Sequence, residues 1–519
     1  MFSETSFSDR EKELLEAFTT NLEDSVFGLI NLPEVVKGAL FSRYSRTNKS
    51  LRRILLDEFI DENFVVSENN FINFKKAEEF YDRVLIGYGD DSVAELGGAH
   101  IACEGISNIA AKALEDSRIG ISPLEKSTRY VAFNKKINGK YLYYPEPTIM
   151  ASRHAQIYET TLDSLFDTYS QLIDPLSQWV KTQTPQDKET SDRAYKSATK
   201  AKTLDLLRGL LPMATLTNVG LFGNGRAFEY LLVKLQASPH QENQKLAIRM
   251  QRELDKMIPS FVKRAKSDRG KKYVNYLKNT KKTLYRIPIF KSEDRESKVK
   301  LIEYDRAAET KVVAAILYSH SNLAFDRVLE YVEKLSIQER IEIIKNYTGD
   351  RESRFHRPGR AFEETYYTFD ILADIGAYRD LQRHRILTQE HQSYSVNHGY
   401  VIPPELESAN LDNLYTEILD KTGEIIELIA QDFPNASQYL VPFAYRMRWK
   451  IKLNLREAYH FIELRSSRQG HSSYRSIAQE MYNQIKEIHP TLIEGMKFVD
   501  LNNYDLERLA AEQKLDLKS

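Results

Sequence analysis

Arg383, His384 and Arg385 stand in a row, followed by ILTQEHQ and then Ser393. Three consecutive cationic or titratable side chains at the end of an apolar run are costly to desolvate unless they meet water or a partner. A guanidinium is a planar fork suited to phosphates and ring carbonyls. An imidazole between two of them can bond or titrate near neutral pH. The run reads either as an anion site or as a charged helix end favoured by the helix dipole. His471, in RQGHSSYR shortly after Arg465, is either part of such a site or an exposed loop histidine.

Other chemistries are excluded or demoted. The single cysteine, Cys103, rules out an intramolecular disulfide framework and a Cys-based zinc cluster, and it fits a reducing compartment. It lies in AHIACEGI, an apolar helix-like run, and free cysteine is usually buried, so it is read as core. No HExxH, P-loop or GxGxxG occurs, and no metal is expected. The formal net charge of the 519 residues is -1, which gives no argument for a nucleic acid or an anionic membrane. No window approaches the roughly 18 apolar residues of a membrane span. The amino terminus lacks the pattern of a secretory signal. The protein is expected to be cytoplasmic.

The elements that must position these groups are mostly helical. Ser8 and Glu11 have capping-box spacing ahead of Leu14, Leu15 and Phe18. In RAFEYLLVKLQ, Phe228, Leu231, Leu232 and Leu235 fall at i, i+3, i+4 and i+7. EAYHFIELR near the carboxyl terminus reads the same way. Strand-like runs are shorter, such as Lys140–Tyr144 and Tyr400–Ile402. The fold class is therefore α+β with helix dominant.

A weak internal repeat organises the chain. Pro212 precedes Asn224 by the same interval as Pro442 precedes Asn454. Upstream lie YYPEP and YVIPPE. Further upstream, each half has a long apolar, helix-like stretch ending in a polar loop: residues 94–130 and 361–395. Four matches in one order point to duplication. The expected division is a first domain over 1–262, a basic linker over 263–290 and a second domain over 291–519. Lys263 to Arg286 holds ten Lys/Arg and one Asp, with Tyr273, Tyr276 and Tyr285 among them. It reads as a solvated interdomain helix and linker, as a contact for a polyanion, or as a holder for the acidic tail of a small substrate.

RHR, seven residues and then Ser resembles the signature of the flavin-dependent thymidylate synthases. The stretch leading to it and the later LVP…NLREAYHFIELR are similar to that family as well, and 30–250 is so more faintly. The resemblance implies two tandem domains, each a small antiparallel sheet packed with helices. It implies conversion of dUMP to dTMP with FAD, methylenetetrahydrofolate as carbon donor and NADPH as reductant. It assigns Arg383, His384, Arg385, Asn454, Arg456, Asn224 and Arg226 to the flavin. Glu125, Ser127, Arg129, Arg208 and Ser393 fall to the nucleotide, and Arg465 to catalysis. Serine without an adjacent base is a poor nucleophile, so Ser127 and Ser393 are orienting groups.

The copies depart from the family in different places. The second has His391-Gln392-Ser393-Tyr394-Ser395 where the family has Glu-x-Ser-x-Arg-Tyr, Glu363-Glu364 for a Glu-His pair, and Gln438 for an arginine. The first keeps Glu125, Ser127, Arg129 and Arg208. It reads Asp116-Ser117-Arg118 at the RHR position and Leu235 at the position of Arg465. The expectation is a divided site, with the first half gripping phosphate and the second holding flavin and uracil. A homodimer of two-domain chains would then stand in for the family's tetramer. The alternatives are a paralogue that binds FAD or a nucleotide without synthesis, and a nucleic-acid-binding or scaffold protein using the basic stretch.

Overall fold

The computed structural model describes residues 7–45, 47–60, 91–284, 296 and 298–517. Helices dominate, and the strands form two small antiparallel sheets. The first sheet has β1 (Gly98–Ser107), β2 (Ile121–Glu125) and β3 (Leu216–Asn224) in the order β1-β3-β2. The second has β4 (Lys298–Tyr304), β5 (Tyr366–Asp374), β6 (Leu387–His391) and β7 (Arg446–Asn454) in the order β4-β5-β7-β6. Apart from the edge strand β4, the second sheet repeats the order of the first. The intervening helices repeat too. Asn108–Glu115, Ala155–Gln183, Gly225–Gln236 and Gln241–Met257 are followed in kind by Ile375–Leu381, Asp412–Asp432, Leu455–Arg465 and Ser472–Ile488.

Contacts divide the chain into two compact units that are interleaved in sequence. One comprises Met1–Ile106, Ala110–Glu125 and Thr217–Ile289; the other comprises Ser107–Ile109, Lys126–Leu216 and Phe290–Ser519. In the first unit β2 pairs with β3 from Ile121↔Gly223 to Glu125↔Val219. The Asn224 side chain accepts from the Ala227 amide and starts helix Gly225–Gln236, which buries Phe228, Leu231, Leu232, Val233 and Leu235. The expected capping box at Ser8 and Glu11 starts helix Asp9–Glu16. The basic stretch is helical, in Pro259–Lys266 and Asp268–Leu284, while Tyr285 and Arg286 lie outside the described residues.

In the second unit β5 pairs with β7 from Tyr366↔Asn454 to Asp374↔Arg446. Tyr367, Phe369, Ile371, Trp449, Ile451 and Leu453 from this pair are buried. Each of the two strands ends in the residue that caps the next helix. Asp374 accepts from the Ala377 amide, and Asn454 accepts from the Glu457 amide.

The segments around Pro212 and Pro442 pair with one another, antiparallel, inside this unit. The Ala444 and Phe443 amides donate to Gly209 and Leu211 carbonyls, while the Met213 and Ala214 amides donate to Val441 and Tyr439 carbonyls. Proline donates nothing, so the flanking amides carry the ribbon. This pairing fixes residues 126–216 beside β5–β7.

Two local readings change. Lys140–Tyr144 and Tyr400–Ile402 are not ladder strands; they touch β-structure only through isolated bridges, Tyr143↔Thr215 and Tyr400↔Tyr445 among them. The strands proper lie in runs read as helical, Gly98–Ser107 and Tyr366–Asp374. β5 is buried on both faces, and a continuous apolar run of this kind has no period that separates strand from helix. Cys103 is buried as expected, but in strand β1. No helix among the described residues is long and apolar enough to cross a membrane.

Gly209 lies in the ribbon, where an added Cβ would overlap the Tyr415 hydroxyl and stand 3.1 Å from Ala444 Cβ. Overpacking of this kind costs about 1–3 kcal/mol. Gly209→Ala is expected to lower the thermal unfolding midpoint, and Gly209→Ala with Tyr415→Phe to recover part of the loss. Equal midpoints for wild type and the single variant would refute the tight approach.

Candidate functional site

Helix Leu455–Arg465 holds Glu457 near its start and Arg465 at its end, with His384 bonded to both. His384 Nδ1 lies 2.8 Å from Glu457 Oε1, and Arg465 Nε donates to His384 Nε2 at 2.8 Å. An arginine N–H can only donate, so His384 Nε2 accepts, and its proton sits on Nδ1 and points at Glu457. The imidazole is thereby held neutral in one tautomer. Burial pushes the Glu457 carboxyl up to about 7 against the pull of Arg357, Arg456 and Arg465. Burial also lowers Arg465, while Asp380 works in the other direction.

His460 lies close enough to His384 and Glu457 for the three to share an ion, with ligand atoms within 4.8 Å. Both ring nitrogens of His384 are committed, however, and His460 is pushed down to about 4 by burial and by Arg357, Arg354 and Arg465. A metal would have to break the tautomer lock and sit beside a buried guanidinium.

A second cluster crosses the repeat. Arg129 donates to Asp205 through Nε at 2.7 Å and Nη2 at 2.5 Å. Arg208 donates through Nη1 to Asp380 at 3.0 Å. Burial works against the charge on Arg129, yet Asp205 raises it overall. Burial likewise opposes the charge on Asp380, but Arg208, Arg383, Arg129 and Arg465 hold that carboxyl far below its ordinary range. One aspartate thus pairs with an arginine from the other half of the chain, and the positive charge of three further arginines, two of them from its own half, acts on it. His471 Nδ1 accepts from the Ser473 amide at 3.1 Å, so its Nε2 donates to the Asp205 carbonyl at 3.2 Å. Burial pushes this imidazole down to about 3.

Arg208 is 4% exposed, and its Nη2 has no hydrogen-bond partner. It lines a cavity of about 300 Å³ together with Asp374, Tyr415, Phe443, His471 and Ser473.

The family described as thymidylate synthase complementing protein matches residues 44–260 and 300–491. The chain belongs to that family. It is 44% identical over 522 residues to a UPF0159 protein of Chlamydia pneumoniae, covering 98% of each chain. It is 34% identical to a UPF0159 protein of Thermoplasma acidophilum, over 93% of this chain and 99% of that one. A flavin-dependent thymidylate synthase of Sulfolobus acidocaldarius is 27% identical over 204 residues, covering 38% of this chain and 75% of the synthase.

Of the residues singled out in the sequence, Ser127, Arg129, Arg208, Arg383, His384 and Arg465 all lie in the second unit. Ser127 Oγ accepts the Arg129 amide at 3.2 Å. Arg385 and Ser393 are exposed in the same unit. Asn454 is committed as a helix cap, and Arg456 donates to the Pro358 carbonyl at 2.8 Å and to Glu363 at 3.2 Å. Glu125, Asn224 and Arg226 belong to the other unit. There Glu125 accepts from buried Lys112 at 3.0 Å, Asn224 caps its helix, and Arg226 pairs with Glu95 at 2.6 Å. Gln438 is buried and accepts the Tyr394 amide at 3.2 Å. Burial pushes the Cys103 thiol up to about 11, the opposite of an activated nucleophile.

Sequence reasoning passed over Asp205, Asp380 and Glu457. The signal for the first two was a shared spacing: Asp205-Leu-Leu-Arg208 and Asp380-Leu-Gln-Arg383, at positions that do not correspond in the repeat. Each places a carboxylate one helical turn before an arginine.

The raised Glu457 carboxyl has a consequence for stability. Between its ordinary value of 4.5 and about 7 the folded protein keeps a proton that the unfolded chain has released, so stability falls as pH rises through that window. Glu457→Gln keeps the acceptor for His384 and removes the titration. It is expected to melt like wild type near pH 4.5 and to be more stable at pH 8, by on the order of 2–3 kcal/mol. Denaturant melts at the two pH values check this, and a constant difference between the proteins would refute it.

Proposed function

We propose that this chain is a flavin-dependent thymidylate synthase whose site draws on both copies, converting dUMP to dTMP. The observation that carries the reading is Arg208 of the first copy, buried beside a cavity of about 300 Å³, bonded to Asp380 of the second copy through Nη1 and with no partner at Nη2. A membership in the thymidylate synthase complementing protein family supports it, as does similarity to a relative named for this activity.

The residues fit an anionic nucleotide and an anionic, ring-bearing cofactor. Arg208 offers a buried donor without a protein acceptor, and Arg385 is exposed beside the locked His384. Reduced FAD, when bound, would supply the hydride that completes the methyl group, with the carbon coming from methylenetetrahydrofolate. Arg129 and Arg208 bind the nucleotide phosphate by charge-assisted bonds. Ser127, held on the Arg129 amide, orients it. Arg383 and Arg385 hold the cofactor. Arg465 stabilises negative charge that develops on the uracil as N3 loses its proton, and it does so from a buried position where that charge is weakly screened. Its Nε is committed to His384, so the Glu457–His384 pair acts by aiming the terminal nitrogens.

Purified protein is expected to carry or take up FAD, seen as a visible flavin band that shifts on dUMP addition, and to release tritium from C5-labelled dUMP. A colourless protein that takes up no FAD would end the reading. Arg465→Lys should lower tritium release about 100-fold or more while leaving flavin uptake intact. Since Asp380 occupies Arg208, Asp380→Asn should tighten dUMP binding about tenfold, read by calorimetry, and leave deoxyuridine binding unchanged. Weaker dUMP binding in that variant would show that Asp380 supports the nucleotide site instead of competing with phosphate.

A further inference from the structure

The first unit carries a charged and aromatic face that the proposed chemistry does not use. On helix Asp268–Leu284, Arg269, Lys272, Tyr273 and Tyr276 recur at i, i+3, i+4 and i+7, so they share one face. Tyr273 and Tyr276 are 39% and 64% exposed, and Tyr230, on helix Gly225–Gln236, is 46% exposed. The three rings form a row, Tyr230 to Tyr273 at 6.2 Å between centroids and Tyr273 to Tyr276 at 6.3 Å, each pair tilted by 28°. Lys234 lies over the Tyr230 ring at 5.4 Å and pairs with Asp116 at 3.4 Å. Arg269 and Lys272 make no ion pair among the described residues. Asp268 is the single acidic residue of the helix, against six Lys/Arg, while the whole chain has a net charge of -1.

Three exposed tyrosines side by side are not explained by solubility, for which lysines alone suffice. Nor do they suit a bilayer, because the aliphatic residues of this helix segment, Val274 and Leu277, pack inward on the core. Aromatic faces flanked by cations are what an unpaired polynucleotide meets in proteins that bind it without base readout, with bases stacked on rings and phosphates on cations.

We propose that this face binds single-stranded nucleic acid, its bases stacking along Tyr230, Tyr273 and Tyr276 and its phosphates meeting Arg269 and Lys272.

The test is fluorescence anisotropy of a labelled 20-nucleotide oligothymidylate titrated with the full chain, repeated over a salt series. Wild type is expected to bind saturably and to weaken linearly on a log–log salt plot. Tyr273→Ala with Tyr276→Ala should weaken binding about tenfold or more at unchanged salt slope. Arg269→Gln with Lys272→Gln should reduce the slope by about 1.4, that is about 0.7 for each of two phosphate contacts. All four side chains are on an exposed helix face, and circular dichroism melts verify that both variants fold. Absent binding, binding equal in wild type and both variants, or loss that tracks charge but ignores the tyrosines overturns the proposal. So does preferential, tyrosine-dependent binding to phosphatidylserine vesicles, which would assign the face to a membrane.

Discussion

The antiparallel ribbon between the Pro212 and Pro442 segments is the constraint on which the rest of the second unit depends. Its four backbone hydrogen bonds join the same motif from the two copies. Pairing like with like in antiparallel sense imposes a local two-fold relation. Arg208 is carried by the residues entering the ribbon on one side, and Gln438 by those entering on the other. Because the ribbon fixes Lys126–Leu216 in the unit that also contains β5 and β7, Arg129 and Arg208 arrive beside Arg383 and Arg465. Chain duplication alone would not bring them together; the cross-pairing does.

Arg129 and Arg208 are buried and Arg383 and Arg465 half-buried, so charge must be balanced from within. Asp205 and Asp380 supply it: Asp205 is bonded to Arg129 of its own copy, and Asp380 to Arg208 of the other. Breaking one such buried pair would leave an uncompensated charge. Arg208 Nη1 is thus already held by a carboxylate, while its Nη2 has no partner. On the other side of the cluster a neutral imidazole accepts the Arg465 Nε–H, which adds no positive charge to a site already rich in it.

Legibility in the sequence followed periodicity and local chemistry. Helices Asp9–Glu16, Gly225–Gln236 and Leu455–Arg465 were readable because their caps and apolar spacing agree. β1 and β5 were not, since apolar runs flanked by helix formers carry no decisive period. The arginines and His384 were found from the spacing of the family motif. Their partners were missed because a carboxylate on a helix looks like a solvated charge until tertiary pairing buries it. The placement of Glu125, Asn224 and Arg226 in the other unit follows from the ribbon and the interleaved contacts, which have no local signature.

The two copies differ at the end of one matched helix. At the end of Leu455–Arg465 the second copy has a half-buried arginine bonded to His384; at the end of Gly225–Gln236 the first copy has Leu235, buried in an apolar core. At that end the first copy packs an apolar side chain where the second holds a guanidinium, while earlier on the same helix Glu229 pairs with buried Arg264 at 2.9 Å. The downstream helices differ as well. In the second copy Ser472–Ile488 turns Arg475 inward onto the Ser466 carbonyl, while its counterpart Gln241–Met257 buries Leu246, Met250 and Leu254 and leaves Arg249 exposed.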